Sequence, residues 1–302
     1  MKIAAITNGI SGNYEEACRI MNETGLKYAE IQHLDGKQIE EFAIGEKRSV
    51  PGVPIETLAP EEAYRIKETS DKYGVEVCCI TTHAFVGMPI KSTEVGDKIY
   101  SKHMRLLENG IHFAKVTGAK LVRAMCCERQ PVSFGYHGAG EWLANDNRTW
   151  GKFISFYRPV VELAEKENID IVIENGNGNI CSSYLMRKMA DDLGSSRLKY
   201  LWDISNAMYY SEMPTLGVYE MIKDILAHVH IKDMILDISK SYMDIVKIGT
   251  GQLGPYLPDI AEALRRDSFG GCISMENIYK PDSGDFVDGY KIDLVEMKRL
   301  FG

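Results

Sequence analysis

The sequence predicts an α/β protein, a closed (β/α)8 TIM barrel, on three observations. Short apolar strands alternate with helices along the whole chain, the pattern of a parallel sheet with crossover helices. The alternation repeats eight times, the number that closes a barrel. Four successive strands also end on a side chain able to bind a cation or move a proton, namely Glu174, Asp203, His230 and Glu276. An open doubly wound sheet is the alternative. It is disfavoured because Thr7-Asn8-Gly9-Ile10-Ser11-Gly12, after the first strand, lacks the GxGxxG spacing.

The elements follow in order. Ile3–Ile6 reads as a strand, and Asn13 caps a helix over Tyr14–Thr24 that Gly25 ends. Tyr28–Leu34 is the second strand. A long polar segment, 35–59, then has the length of a lid or an interface. Pro60 starts a helix through Tyr73, stopped by Gly74. Val75–Thr82 is strand three, closing on His83. A helix over Val95–Thr117 leads to strand four, Lys120–Cys127, closing on Glu128. A glycine-rich loop with His137 and Trp142 precedes a helix over Trp150–Asn168. Asp170–Ile173 ends on Glu174, a helix covers Tyr184–Leu193, and Leu198–Trp202 ends on Asp203. Strand seven is Leu226-Ala227-His228-Val229-His230-Ile231-Lys232-Asp233. Its apolar and polar residues alternate, so His228, His230 and Lys232 share one face. A glycine-containing loop precedes a helix over Leu257–Arg266, strand eight ends on Glu276, and Leu294–Phe301 is the closing helix.

With 302 residues, 45% hydrophobic and 26% charged, the composition is that of a globular protein, read as a single domain over 1–302. A net charge of −8 without a basic run argues against nucleic acid as a partner. No signal peptide or membrane span is expected. Seven cysteines, four of them paired as neighbours within strands and none in a CxxC, suggest buried thiols in a cytoplasmic protein. They also argue against a thiolate zinc site.

Barrel closure would gather Glu174, Asp203, His230 and Glu276 at one end. Carboxylates crowded together repel and raise a pKa unless a cation joins them. This donor set suits a hard or borderline divalent ion; the plain alternative is helix caps and rim charges. His83 either faces this site or is a rim histidine. His228, deeper in its strand, reads as a supporting or core histidine rather than a ligand, and Lys232 as a cation that neutralises developing negative charge or pairs with a carboxylate of the ring. Asp233, of opposite parity, orients a neighbour. His137 beside Trp142 is a movable base next to an aromatic wall, or a surface loop.

The order of Ile173-Glu174-Asn175, Trp202-Asp203-Ile204-Ser205-Asn206, His228 to Asp233, Gly249-Thr250-Gly251 and Ser274-Met275-Glu276 resembles the xylose isomerase-like TIM-barrel superfamily of sugar isomerases and epimerases. The resemblance implies one divalent metal ion, manganese first, with magnesium, cobalt or zinc as alternatives. It implies that Glu174 and Glu276 bind the metal and also exchange a substrate proton from opposite faces through an enediolate, with Asp203 and His230 as ligands only. The substrate is then a sugar, ketose or cyclitol, contacted by Asn206, Lys232, His83 and Trp142. Asn206 stands where epimerases of the family usually carry His. Some members instead cleave 3-oxo-C-glycosides with a small partner subunit and a loop histidine as base, a role that His137 would fill. Two further readings are a partner-binding barrel with a structural metal and an apurinic endonuclease. The endonuclease needs extra His ligands that Asn206 and Lys232-Asp233 do not supply. A homo-oligomer, or a hetero-oligomer with a small subunit, is expected.

Overall fold

Apolar runs of four to six residues, each led out by a helix and its stop residue, form eight parallel strands. The computed structural model describes residues 1–34, 52–127, 147–176, 182–210, 212–240 and 242–302. Glu128, His137, Trp142 and most of the 35–59 segment lie outside these residues. The strands are β1 Lys2–Ile6, β2 Tyr28–Ile31, β3 Glu76–Thr81, β4 Leu121–Met125, β5 Asp170–Glu174, β6 Leu198–Asp203, β7 Leu226–Ile231 and β8 Cys272–Met275. Each pairs with the next, and β1 closes the barrel on β8 in the register Lys2↔Cys272 to Ala5↔Met275. The TIM barrel expected from the alternation is the observed fold.

Helices α1 Tyr14–Thr24, α2 Glu62–Tyr73, α3 Lys98–Thr117, α4 Asn147–Glu167, α5 Ser183–Leu193, α6 Leu216–Ile222, α7 Leu257–Arg266 and α8 Phe286–Phe301 surround the strands. Local chemistry sets their ends. Asn13 accepts the Glu16 N–H at 2.9 Å, and Gly25 terminates α1 at φ 70°. Helix α8 begins eight residues before the expected Leu294, at a reciprocal capping box between Asp285 and Asp288. Gly289 near its start breaks the apolar periodicity, which hides this turn from a pattern reading. It is required there, because a Cβ would lie 2.0 Å from the Tyr279 carbonyl oxygen. No helix among the described residues is long and apolar enough to cross a membrane. The six described cysteines are free.

An antiparallel hairpin, Asp233–Asp237 with Tyr242–Val246, follows β7 where a loop was expected. Its faces are largely half-buried or exposed, so no burial period separates it from a loop. Asp233 anchors the chain behind it, accepting the backbone N–H of Met234, Gly249, Gly251 and Leu253 at 2.8–3.0 Å. This gives the orienting role expected of Asp233 to backbone rather than to a side chain.

Side chains fill the barrel in layers. Cys79, Val172 and Leu201, all fully buried, make a small apolar plug. Two residues on, the same parity places Thr81, Glu174 and Asp203 at the C-terminal end. The interior thus changes from apolar to polar along its axis.

One buried acid outside this interior makes stability depend on pH. Asp293 of α8 accepts the Ile248 N–H at 2.9 Å, and burial pushes its carboxyl up to about 7. A folded-state pKa raised above the unfolded 3.8 means stability present below that value and lost as pH rises through about 7. Asp293→Asn keeps the acceptor and removes the charge. Chemical denaturation between pH 4 and 7 should show wild-type stability falling by up to about 1.4 kcal/mol per pH unit from this group, and that component absent in the variant.

Candidate active site

The polar end of the barrel is built on His230. β7 sends His228 and His230 inward, both fully buried, and His230 finds partners for both of its ring nitrogens. His230 Nε2 lies 2.9 Å from both carboxylate oxygens of Glu30, and Nδ1 lies 3.1 Å from Glu174 Oε1. Glu30, at the end of β2, also meets His228 Nε2 at 2.8 Å and accepts the Thr81 hydroxyl. Burial alone would push the Glu30 carboxyl up; the imidazoles of His230 and His228 reverse this and hold it well below the usual carboxylate range. Burial disfavours charge on His230, yet Glu30 and Glu174 raise its pKa well above the ordinary value.

Two cations enter the same cluster. Arg123, mid-strand in β4 and buried, donates Nη1–H to Glu174 Oε2 at 2.5 Å and bonds the Thr82 carbonyl through Nε and Nη2. Against the cost of burial, Arg123 and then His230 bring Glu174 down to about 2. Lys232, one residue past β7, donates to both Asp203 Oδ2 and Glu276 Oε2. Burial would lower its pKa, but the two carboxylates raise it. Glu276, one residue past β8, extends the ladder by donating its N–H to the Ile231 carbonyl at 3.0 Å. Its carboxyl, pushed up by burial, is held below its ordinary value chiefly by Lys232. Asp203 Oδ1 accepts the N–H of Ser205 and Asn206 at 2.9 and 2.8 Å, and burial pushes its carboxyl up to about 7. Asn175 joins the ends of β5 and β6 by pairing its amide with both backbone groups of Asp203 at 2.7 and 2.8 Å.

The cluster opens on a cavity of about 280 Å³ at the C-terminal end of the barrel. Glu174, Glu276, Lys232, Arg123, Asn206 and His83 reach it, and Met243 and Ile245 of the hairpin form an apolar wall. Of the expected ligands, Glu174, Asp203 and His230 bring one donor atom each within 4.8 Å of one another. Glu276 lies outside that group and joins it through Lys232. A second such group, Glu30, His228 and His230, shares His230; both groups are buried, and only the first has a member, Glu174, that lines the cavity. Glu174 reaches the cavity with Asp203 and His230 buried directly behind it and Glu276 beside it, and three carboxylates with an imidazole fit a hard or borderline dication. Glu30 contributes by fixing the far nitrogen of His230, as an outer carboxylate does for a ligating histidine.

Lys232 sits inside the carboxylate ring, the pairing role expected for it. His228 meets Glu30 through Nε2, while its buried Nδ1 has no hydrogen-bond partner among the described residues. Sequence reasoning missed Glu30, Arg123 and Glu56, the last of which holds His83. A signal for two of these exists: Tyr28-Ala29-Glu30-Ile31 and Leu121-Val122-Arg123-Ala124 each carry one charge inside an otherwise buried strand. Such a charge needs a partner of opposite sign.

A family model described as xylose isomerase-like TIM barrel matches residues 18–292. No curated protein matches the sequence. Among solved structures, E. coli 3-keto-D-glucoside 4-epimerase superposes with a TM-score of 0.67 at 17% identity, covering 99% of both chains. Methylomonas D-allulose 3-epimerase, in complex with D-allulose, gives 0.68 at 15% identity over 99% of this chain and 97% of its own. A xylose isomerase-like TIM barrel protein of Mycobacterium smegmatis, in complex with magnesium, gives 0.66 at 15% over 99% and 96%. At these identities the likeness shows the shared fold.

Proposed function

Since this chain belongs to the xylose isomerase-like TIM-barrel family, we propose that it is a divalent-metal-dependent carbohydrate isomerase or epimerase that removes a proton next to a carbonyl. The observation that carries the reading is the ring of Glu174, Asp203, His230 and Glu276 at the ends of β5 to β8, with two of its carboxylates facing one cavity. The four would hold the ion, manganese first and magnesium, cobalt or zinc as alternatives. When bound, it supplies positive charge beside the substrate carbonyl.

The chain's own groups do the rest. Glu174 and Glu276 reach the cavity from non-adjacent strands and can serve as proton acceptor and donor on the two faces of a substrate carbon. Lys232 and Arg123 face the same space and offset negative charge that develops as the proton leaves. Asn206 offers its amide to a sugar hydroxyl, and the Met243–Ile245 wall excludes water from one side. Epimerases acting on D-allulose and on a 3-keto-D-glucoside among the structural neighbours support a sugar as substrate. The C-glycoside lyase reading depends on His137, and the described residues offer nothing that favours it.

The test is metal analysis of the purified protein, then exchange of carbon-bound hydrogen in D2O with Mn2+ and D-allulose, D-fructose, D-tagatose or 3-keto-D-glucoside, followed by mass spectrometry. Metal-dependent uptake of one deuterium next to the carbonyl is the expected result. No uptake by any of the four would overturn the proposal.

A further inference from the structure

A buried carboxylate that the cluster around His230 does not use lies behind His83, a residue on another wall of the same cavity. Glu56 sits in a short turn, Ile55–Thr57, with its side chain 1% exposed. The turn is braced on two sides. Ile55 donates its N–H to the Gln32 carbonyl at 3.0 Å, and the Asn109 amide donates to the carbonyls of Glu56 and Leu58 at 2.9 Å. Glu56 Oε1 accepts the His83 backbone N–H at 2.8 Å and lies 2.9 Å from His83 Nδ1. Oε2 has no partner among the described residues. Burying a carboxylate is costly, and here the backbone N–H and the imidazole of His83 offset it.

His83, two residues past β3, is the exposed member of this pair, at 30%. It reaches the cavity alongside Glu174, Glu276 and Gln32. A carboxylate only accepts, so Nδ1 donates to Glu56, and in the neutral imidazole Nε2 is then the acceptor. The Gln32 amide nitrogen stands 3.4 Å from that Nε2, as a donor should. The opposite side of the ring packs on His33, with centroids 4.8 Å apart. His33 is held neutral chiefly by its burial, which brings it down to about 3.

We propose that Glu56 and His83 form a proton-relay dyad in which Glu56 positions His83, and His83 Nε2 carries a proton between two substrate oxygens. This rests on the reading of the cavity as a sugar site and narrows it to the interconversion of aldose and ketose. Epimerisation moves only a carbon-bound proton, which Glu174 and Glu276 suffice to exchange. Moving the carbonyl to the neighbouring carbon also requires a hydroxyl proton to change oxygens. The step balances. The C–H proton of the hydroxyl-bearing carbon passes to a glutamate carboxylate and returns to the neighbouring carbon. That hydroxyl gives its proton to His83 Nε2 as its C–O bond becomes C=O. The same proton then goes to the former carbonyl oxygen, whose C=O becomes C–OH. One carbon is oxidised, its neighbour is reduced, and nothing else is consumed.

The experiment compares wild type, His83→Gln and Glu56→Gln as the Mg2+-loaded full chain, with folding checked by thermal melting. D-Fructose, D-allulose and D-tagatose in D2O are followed both for deuterium uptake and for aldose formed. Both variants should lose aldose formation by about 100-fold, at least about tenfold more than they lose deuterium uptake. Loss of both activities together, or of neither, would overturn the relay. Long-range 1H–15N NMR of the imidazoles supplies a readout that needs no substrate. His83, assigned by its absence in His83→Gln, should be in the Nδ1–H form in wild type and shift toward the Nε2–H form in Glu56→Gln. An Nε2–H form in wild type would overturn the dyad. If wild type takes up no deuterium from any sugar, it is the proposed sugar chemistry that fails, and this NMR result decides the dyad by itself.

Discussion

Glu276→Gln is expected to lower deuterium exchange next to the carbonyl by about 10²–10⁴-fold, the usual contribution of a positioned acid–base group. Glu276 is the carboxylate with most room to act. Its side chain is 29% exposed, whereas that of Glu174 is 4% exposed and already bonded to Arg123 and His230. Lys232 keeps it ionised and so ready to accept a proton. Glutamine has the same shape but no basic oxygen, and it leaves Lys232 still paired with Asp203. The fold should therefore survive, with a melting temperature within a few degrees of wild type. Exchange measured by mass spectrometry, beside a circular dichroism melt, separates the outcomes. Retained exchange would place the base elsewhere. It would also restore the view of the barrel as a partner-binding subunit with a structural metal.

Arg123→Met is expected to cost about 3–5 kcal/mol of stability in the protein stripped of metal by EDTA, the range for breaking a buried ion pair from one side. The guanidinium is 5% exposed and its partner Glu174 is 4% exposed, so water replaces neither. The variant leaves Glu174 with His230 and, farther off, Lys232 as its remaining cations and removes three donors from the Thr82 carbonyl and Glu174 together. Methionine fills much of the volume, so the loss reports charge more than a cavity. Adding Mn2+ should recover a large part of it, because a dication beside Glu174 replaces the missing charge. Urea titrations with and without metal check both statements. A loss below about 1 kcal/mol would mean that Arg123 does not carry the charge balance of the cluster.

Most of what places the site was written locally. Asn13 and Gly25 bound α1 because a cap and a left-handed stop depend on a few adjacent residues. The inward face of β7 was legible for a similar reason: side chains alternate, so His228 and His230 must share a face once Val229 and Ile231 are given to the helices. The strand-end positions of Glu174, Asp203 and Glu276 followed from the eightfold alternation. The hairpin after β7 and the first two turns of α8 were not legible. Half-exposed strands leave no burial period, and Gly289 interrupts the helical one.

The sequence alone determined the barrel and which residues stand at its C-terminal end, because strand alternation and helix capping are short-range properties. Tertiary structure decided who meets whom. Glu30 reaches His230 across 200 positions, and Glu174 finds Arg123 across 51. Lys232 comes between Asp203 and Glu276 only because β7 lies between β6 and β8 at a particular register. These pairings are set by closing the sheet on itself. In that enclosed interior each charge must be offset by a neighbour rather than by water, and the neighbours are chosen by the register of the whole barrel.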